Sequence, residues 1–187
     1  MRYSDIPGRL VLGGYLAVHG AQKLFGAFGG HGLEATAAGF EAIGLTPGKE
    51  MAILAGASEL GGGLLTATGI ADPLGPITIA GAMTVASAVH RKGGPLASNG
   101  GYEMALTNLA FASVLAGLAT GTRRSWRFPK PALAIASIGA ATLTAVSLSK
   151  LLNHRPAAAT PDEPTTEAEV TTVDAPEPNG AAQRVNN

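Results

Sequence analysis

Within the apolar stretch Gly8 to Phe28 sit three residues able to do chemistry, His19, Gln22 and Lys23. At about 100° per residue in a helix they share one face with Tyr15 and Gly26, while Leu10, Leu12, Leu16 and Val18 mostly point elsewhere. An imidazole, a carboxamide and an ammonium on an apolar helix need partners, because an isolated ion in hydrocarbon is costly. Candidate partners follow: Glu59 in the middle of a second apolar run, then His90, Tyr102, Glu103 and Asn108. Held together at low dielectric, a carboxylate, an imidazole and an amine can hydrogen-bond a quinone carbonyl, relay protons, or bind a metal or haem through nitrogen. They can equally do no more than clamp helices. His19 lies deep in its run and His90 at the end of another beside Arg91 and Lys92, which argues against a bis-histidine haem, and no metal site is assigned.

The elements that must position these groups are helices. Apolar runs cover about Leu10 to Ala27, Met51 to Ile70, Leu74 to Val89, Met104 to Thr120 and Ala132 to Leu152. Between the first two, Leu33, Ala37, Phe40 and Ile43 recur at near-helical spacing, predicting a short interfacial helix. Asp72 and Pro73 make a tight turn, and Pro76 falls in a first helical turn, where its missing N–H is tolerated. In an antiparallel bundle the end of the first run, the start of the second, the end of the third and the start of the fourth share one side. His19 and Glu59 then each lie about 12 Å below that side, and Lys23 reaches the same carboxylate from above. Small residues four apart (Gly13, Ala17, Ala21; Ala57, Gly61; Ser58, Gly62) offer lines of close helix approach. The fold class is therefore all-α: an integral membrane four-helix bundle over residues 8–121, a basic linker over 122–131, a fifth transmembrane helix over 132–152 and a disordered acidic tail over 153–187 rich in Ala, Pro and Thr.

Composition agrees. The 187 residues are 46% hydrophobic and 14% charged, with 26 glycines and a mean hydropathy of +0.23, unlike a soluble domain of this size. The zero net charge hides a division: beyond residue 155 six carboxylates face one arginine, a net −5, leaving the body at +5. A basic membrane body with an acidic tail does not suggest nucleic-acid binding. Without cysteine, the chain cannot itself run a thiol relay or hold an iron–sulfur cluster on thiolates. The first run reads as a retained helix and not a signal peptide. The ELGGG at Glu59 to Gly63 lacks a preceding strand, so it is no dinucleotide fingerprint, and no HExxH, P-loop or nucleophile elbow occurs. Counting Arg2, Arg9, Arg123, Arg124, Arg127 and Lys130 on one side against Lys49, Arg91 and Lys92 on the other, with Lys150 and Arg155 if the last run spans, places the N-terminus in the cytoplasm.

Several motifs in order carry a resemblance: HGAQKLFGAFGG (His19 to Gly30), GLEATAAGFEAIGL (Gly32 to Leu45), ELGGGLLTATGI (Glu59 to Ile70), SAVH (Ser87 to His90) and GGYE (Gly100 to Glu103). Over residues 8–121 the chain resembles the DoxX family. The resemblance implies a multi-pass protein of the bacterial cytoplasmic membrane linked to respiratory, sulfur or oxidative-stress redox systems, and it carries over His19, Lys23, Glu59, His90, Tyr102 and Glu103. The basic TRRSWRFPK after Gly121, the fifth run and the acidic tail depart from the four-helix pattern.

The leading expectation is thus a DoxX-like membrane subunit supporting a redox complex. His19, Gln22, Lys23, Glu59, His90, Tyr102, Glu103 and Asn108 are its ligand-binding or proton-relay candidates, a quinone is the cofactor such a pocket would take, and soluble or membrane redox proteins are its partners within the bilayer. A non-catalytic anchor recruiting soluble proteins is the main rival. A small-solute carrier is the third, disfavoured by the absence of an inverted repeat.

Overall fold

The computed structural model describes residues 3–120 and 130–154. The stretch 121–129 with Trp126 and everything from 155 onward, where the expected linker and acidic tail fall, lie outside the described residues. Those described form helices, and no strand occurs among them.

Helix α1, Ile6–Phe25, starts with Pro7 in its first turn, four residues before the apolar run, and stops at Gly26, whose φ of 69° turns its amide onto the Gln22 carbonyl at 3.1 Å. Helix α2, Gly32–Ala42, is the short connector helix, with Glu34 in its first turn. Helix α3, Gly48–Thr68, begins behind Pro47 and ends on Gly69 in the left-handed region, its amide 2.8 Å from the Leu65 carbonyl. Helix α4, Leu74–Val89, carries Pro76 in its first turn. Helices α5, Glu103–Thr120, and α6, Lys130–Asn153, follow. Each expected run is thus a helix; α4 has the expected bounds, and the ends of α1 and α3 fall a few residues earlier, at Pro7 and Gly26 and at Pro47 and Gly69.

Helix α1 lies along α3, α3 along α4 and α4 along α5, which also touches α1; α2 packs on α3 and α6 on α4. Where α1, α4 and α5 meet, Leu12, Leu16, Ile79, Met83, Ala112 and Leu115 form the buried apolar cluster. The α1–α3 contact is backbone on backbone. A Cβ on Gly20 would fall 2.5 Å from the Gly56 carbonyl oxygen, and one on Gly13 2.5 Å from that of Gly63. This corrects the small-residue lines expected from four-residue spacing: the contact runs Gly13, Ala17, Gly20 against Gly56 and Gly63. Gly61 faces open space, and Gly62 faces Thr78 and Ile79 of α4. Steps of seven residues, nearly two turns, keep glycine on the seam as the two helices follow each other.

Arg9 also needs correction. Counted above as a flanking charge, it is 1% exposed, and its Nη1 donates to Asp72 Oδ1 at 2.8 Å and to the Thr66 carbonyl at 3.3 Å. Asp72, expected only to shape a turn, is the buried partner, at 3% exposure. Arg9 is therefore withdrawn from the count of flanking charges, and α6 ends beside the exit of α2, where His154 packs on Gly44.

Many large apolar side chains point outward, among them Leu10, Val11 and Val18 on α1, Leu64 on α3, Val114 and Leu118 on α5, and Ile135 and Ile138 on α6. Among the described residues only Ala134–Asn153 is long and apolar enough to cross a membrane by length and composition. The charged residues of α1 and α3 that lower their hydropathy include Arg9, Lys23 and Glu59, and these three are engaged with one another's helices or the adjoining turn.

Candidate functional site

Glu59, near the middle of α3, is 6% exposed. The α1–α3 glycine contact brings the helices close enough for Lys23, one turn beyond Gly20, to lay its ammonium on Glu59 Oε2. The pair is uneven: the Lys23 side chain keeps 26% of its surface and that of Glu59 only 8%.

Both residues line a cavity of about 610 Å³ between α3, α4 and α6. Its volume falls within the range of small-molecule sites, roughly 300–1,000 Å³, and its walls are mostly apolar with few polar groups, as such sites usually are. From α3 come Leu54, Ser58 and Leu65; from α4, Thr78 and Val85, with His90 just past its end; from α6, Leu143, Thr144 and Ser147. Phe40 of α2 also lines the cavity. His90, whose Nδ1 is 3.0 Å from the Gly100 carbonyl oxygen, therefore shares the cavity with the ion pair.

The other expected residues lie elsewhere. His19 is half-buried and sets its ring edge-on to Tyr15, centroids 4.4 Å apart; it lies near enough to Lys23 and Glu59 to feel both charges but is outside the cavity lining. Gln22 donates to the carbonyl of Phe28 at 3.4 Å, holding the turn after α1 in which Phe28 adopts a φ of 51°. Tyr102 gives its amide to the Gly94 carbonyl at 3.0 Å, and the Glu103 carboxylate accepts from the Ala97 amide at 2.9 Å, so both order the α4–α5 connection. Asn108 is half-buried on α5 and does not line the cavity.

Two features escaped the sequence reading. The wall given by α6 was readable as positions 136, 139, 140, 143, 144 and 147, a three-and-four spacing of Ala, Gly, Leu, Thr and Ser. The Arg9–Asp72 pair had a fainter signal, one ion just inside the start of an apolar helix and another in an apolar turn that an antiparallel neighbour brings to the same depth.

Chemically, the carboxylate has one oxygen outside the ion pair and the ammonium has further N–H donors, both at the rim of an apolar chamber. That arrangement suits an apolar molecule with a carbonyl or hydroxyl at one end. The DoxX family profile matches residues 5–91, from the start of α1 to just past α4. Residues 5–91 form a DoxX-family domain. The chain is a membrane protein on that ground, and its long apolar α6 agrees. The match includes Lys23, Glu59 and His90 and stops before GGYE, α5 and α6, so the third wall of the cavity lies outside the matched segment. No curated protein and no solved structure matches the chain.

Proposed function

We propose that this DoxX-domain protein is a multi-pass membrane subunit of a redox system that holds a quinone-like molecule in the α3–α4–α6 cavity. The observation that carries the reading is the Lys23–Glu59 pair in the wall of a mostly apolar chamber of about 610 Å³. The ring carbonyl of such a ligand takes a hydrogen bond from the Lys23 ammonium, His90 supplies a second polar contact, and the apolar tail lies along Leu54, Leu65 and Leu143. Helices α1, α3, α4, α5 and α6 cross the bilayer, supported by their outward apolar side chains and by the inward pairing of Arg9, Lys23 and Glu59. The setting is the bacterial cytoplasmic membrane. Redox chemistry on sulfur belongs to partner proteins, since this chain has no thiol.

The test is mass spectrometry of the organic extract of protein purified in mild detergent. Near-stoichiometric quinone in the parent, lost in Glu59→Gln and in Val85→Trp, which fills the chamber, is the expected result. Equal extracts from all three, or none from the parent, would remove the ligand reading and leave the non-catalytic anchor.

A further inference from the structure

A second concavity, of about 180 Å³, lies where α4 and α6 end beside the exit of α2. Its floor is Ile43, Val89 and Leu151, and its rim carries Arg91, Lys92 and His154. Three separate elements meet there: the turn His90–Gly93, which continues α4, the last residues of α6, and the end of α2. The meeting is fixed by Gly44, whose missing side chain leaves the space that the His154 ring occupies. No acidic side chain is among the described residues that line the cleft. The nearest in sequence, Glu41, turns its carboxylate toward Gly48, where a Cβ would lie 3.1 Å from Oε2, and so faces the N-terminus of α3 instead. The Arg91 guanidinium bonds the Ala88 carbonyl at 3.2 Å through one nitrogen, which leaves the rest of its donor fork free to take an anion. Neither Arg91 nor Lys92 is in an ion pair with a described residue.

An apolar floor beneath a basic rim, at the ends of membrane helices, matches an anion that carries hydrocarbon. We propose that this cleft binds a phosphate group, the headgroup of an anionic phospholipid whose first acyl carbons rest on Ile43, Val89 and Leu151. Free inorganic phosphate offers the same anionic chemistry without the chain. The site rests on the membrane reading of the helices but not on the quinone reading, whose residues Lys23 and Glu59 lie elsewhere in the fold.

The experiment is native mass spectrometry of the full chain in mild detergent, with phosphatidylglycerol and phosphatidylcholine supplied in equal amounts. The parent is expected to retain one phosphatidylglycerol in preference to phosphatidylcholine. Removing either basic residue, as Arg91→Gln or Lys92→Gln, weakens retention about fivefold, and removing both about thirtyfold, the scale of one basic side chain against an anionic membrane surface. His154→Gln, on another element, weakens it in the same direction. Arg91 and Lys92 are exposed, so these variants keep the parent's thermal stability and its quinone content. Displacement by millimolar inorganic phosphate would assign the site to the free anion, and persistence of the lipid would assign it to the headgroup with its chain. Equal retention of the two lipids, or equal retention by parent and double variant, would overturn the proposal.

Discussion

The two buried ion pairs of this protein are expected to respond differently to the same perturbation, and the difference separates a clamp from a binding site. In Arg9–Asp72 both side chains are 1% exposed, and the guanidinium has no route to solvent. Asp72→Asn leaves that cation buried without its counter-ion, and breaking a pair so enclosed costs about 3–5 kcal/mol. In Lys23–Glu59 the lysine side chain is 26% exposed and lies in the last turn of α1, so Glu59→Gln lets the ammonium snorkel toward the helix end and regain solvation there. Its cost should be nearer that of a partly exposed pair, on the order of 1 kcal/mol. Unfolding in detergent, titrated with SDS and followed by circular dichroism, should therefore show a large loss for Asp72→Asn and a small one for Glu59→Gln. Extracted quinone should show the reverse: retained in Asp72→Asn where that variant is still folded, absent in Glu59→Gln. A Glu59→Gln variant as unstable as Asp72→Asn, with ligand content unchanged, would refute the reasoning and make Lys23–Glu59 a helix clamp.

Other consequences follow from the packing. Gly63→Leu forces α1 and α3 apart, since even a Cβ there would fall 2.5 Å from the Gly13 carbonyl oxygen; a loss of about 1–3 kcal/mol or more is expected in the same unfolding assay. Gly61→Leu, two residues away, meets open space and lines the cavity, so its unfolding midpoint should stay near the parent's while extracted quinone falls several-fold. The absence of cysteine makes single-cysteine labelling in sealed vesicles clean: Lys92→Cys and His154→Cys should label from the same side, and opposite sides would show that α6 does not return across the bilayer. Double replacement of Arg9 and Asp72 by leucine should recover most of the stability lost in Asp72→Asn, because matched apolar groups leave no buried ion unsatisfied; an additive loss on the unfolding curve would contradict this.

The sequence by itself determined the helices. Apolar runs of helical length, punctuated by Pro7, Gly26, Pro47, Gly69 and Pro76, leave little freedom in where helices begin and end, because capping and ring constraints are local. It also made Lys23 a partner for Glu59, since a lysine one turn above His19, which lies at the depth of Glu59, reaches the same carboxylate from above. The tertiary structure alone decided which faces meet. Glycines occur all along α1 and α3, and only the crossing of the two selects Gly13, Gly20, Gly56 and Gly63 over Gly61. The same crossing buries Arg9 against Asp72, although a terminal arginine and a turn aspartate look solvent-facing when read one segment at a time. The cavity was the least legible feature, because it belongs to no segment: α3, α4 and α6 each contribute a wall, and His90 enters it while His19, the stronger candidate by helix position, remains beside Tyr15. Periodicity along one helix defines a face, but the rotation of that face toward a neighbour is set by long-range packing, and that is where the chamber is made.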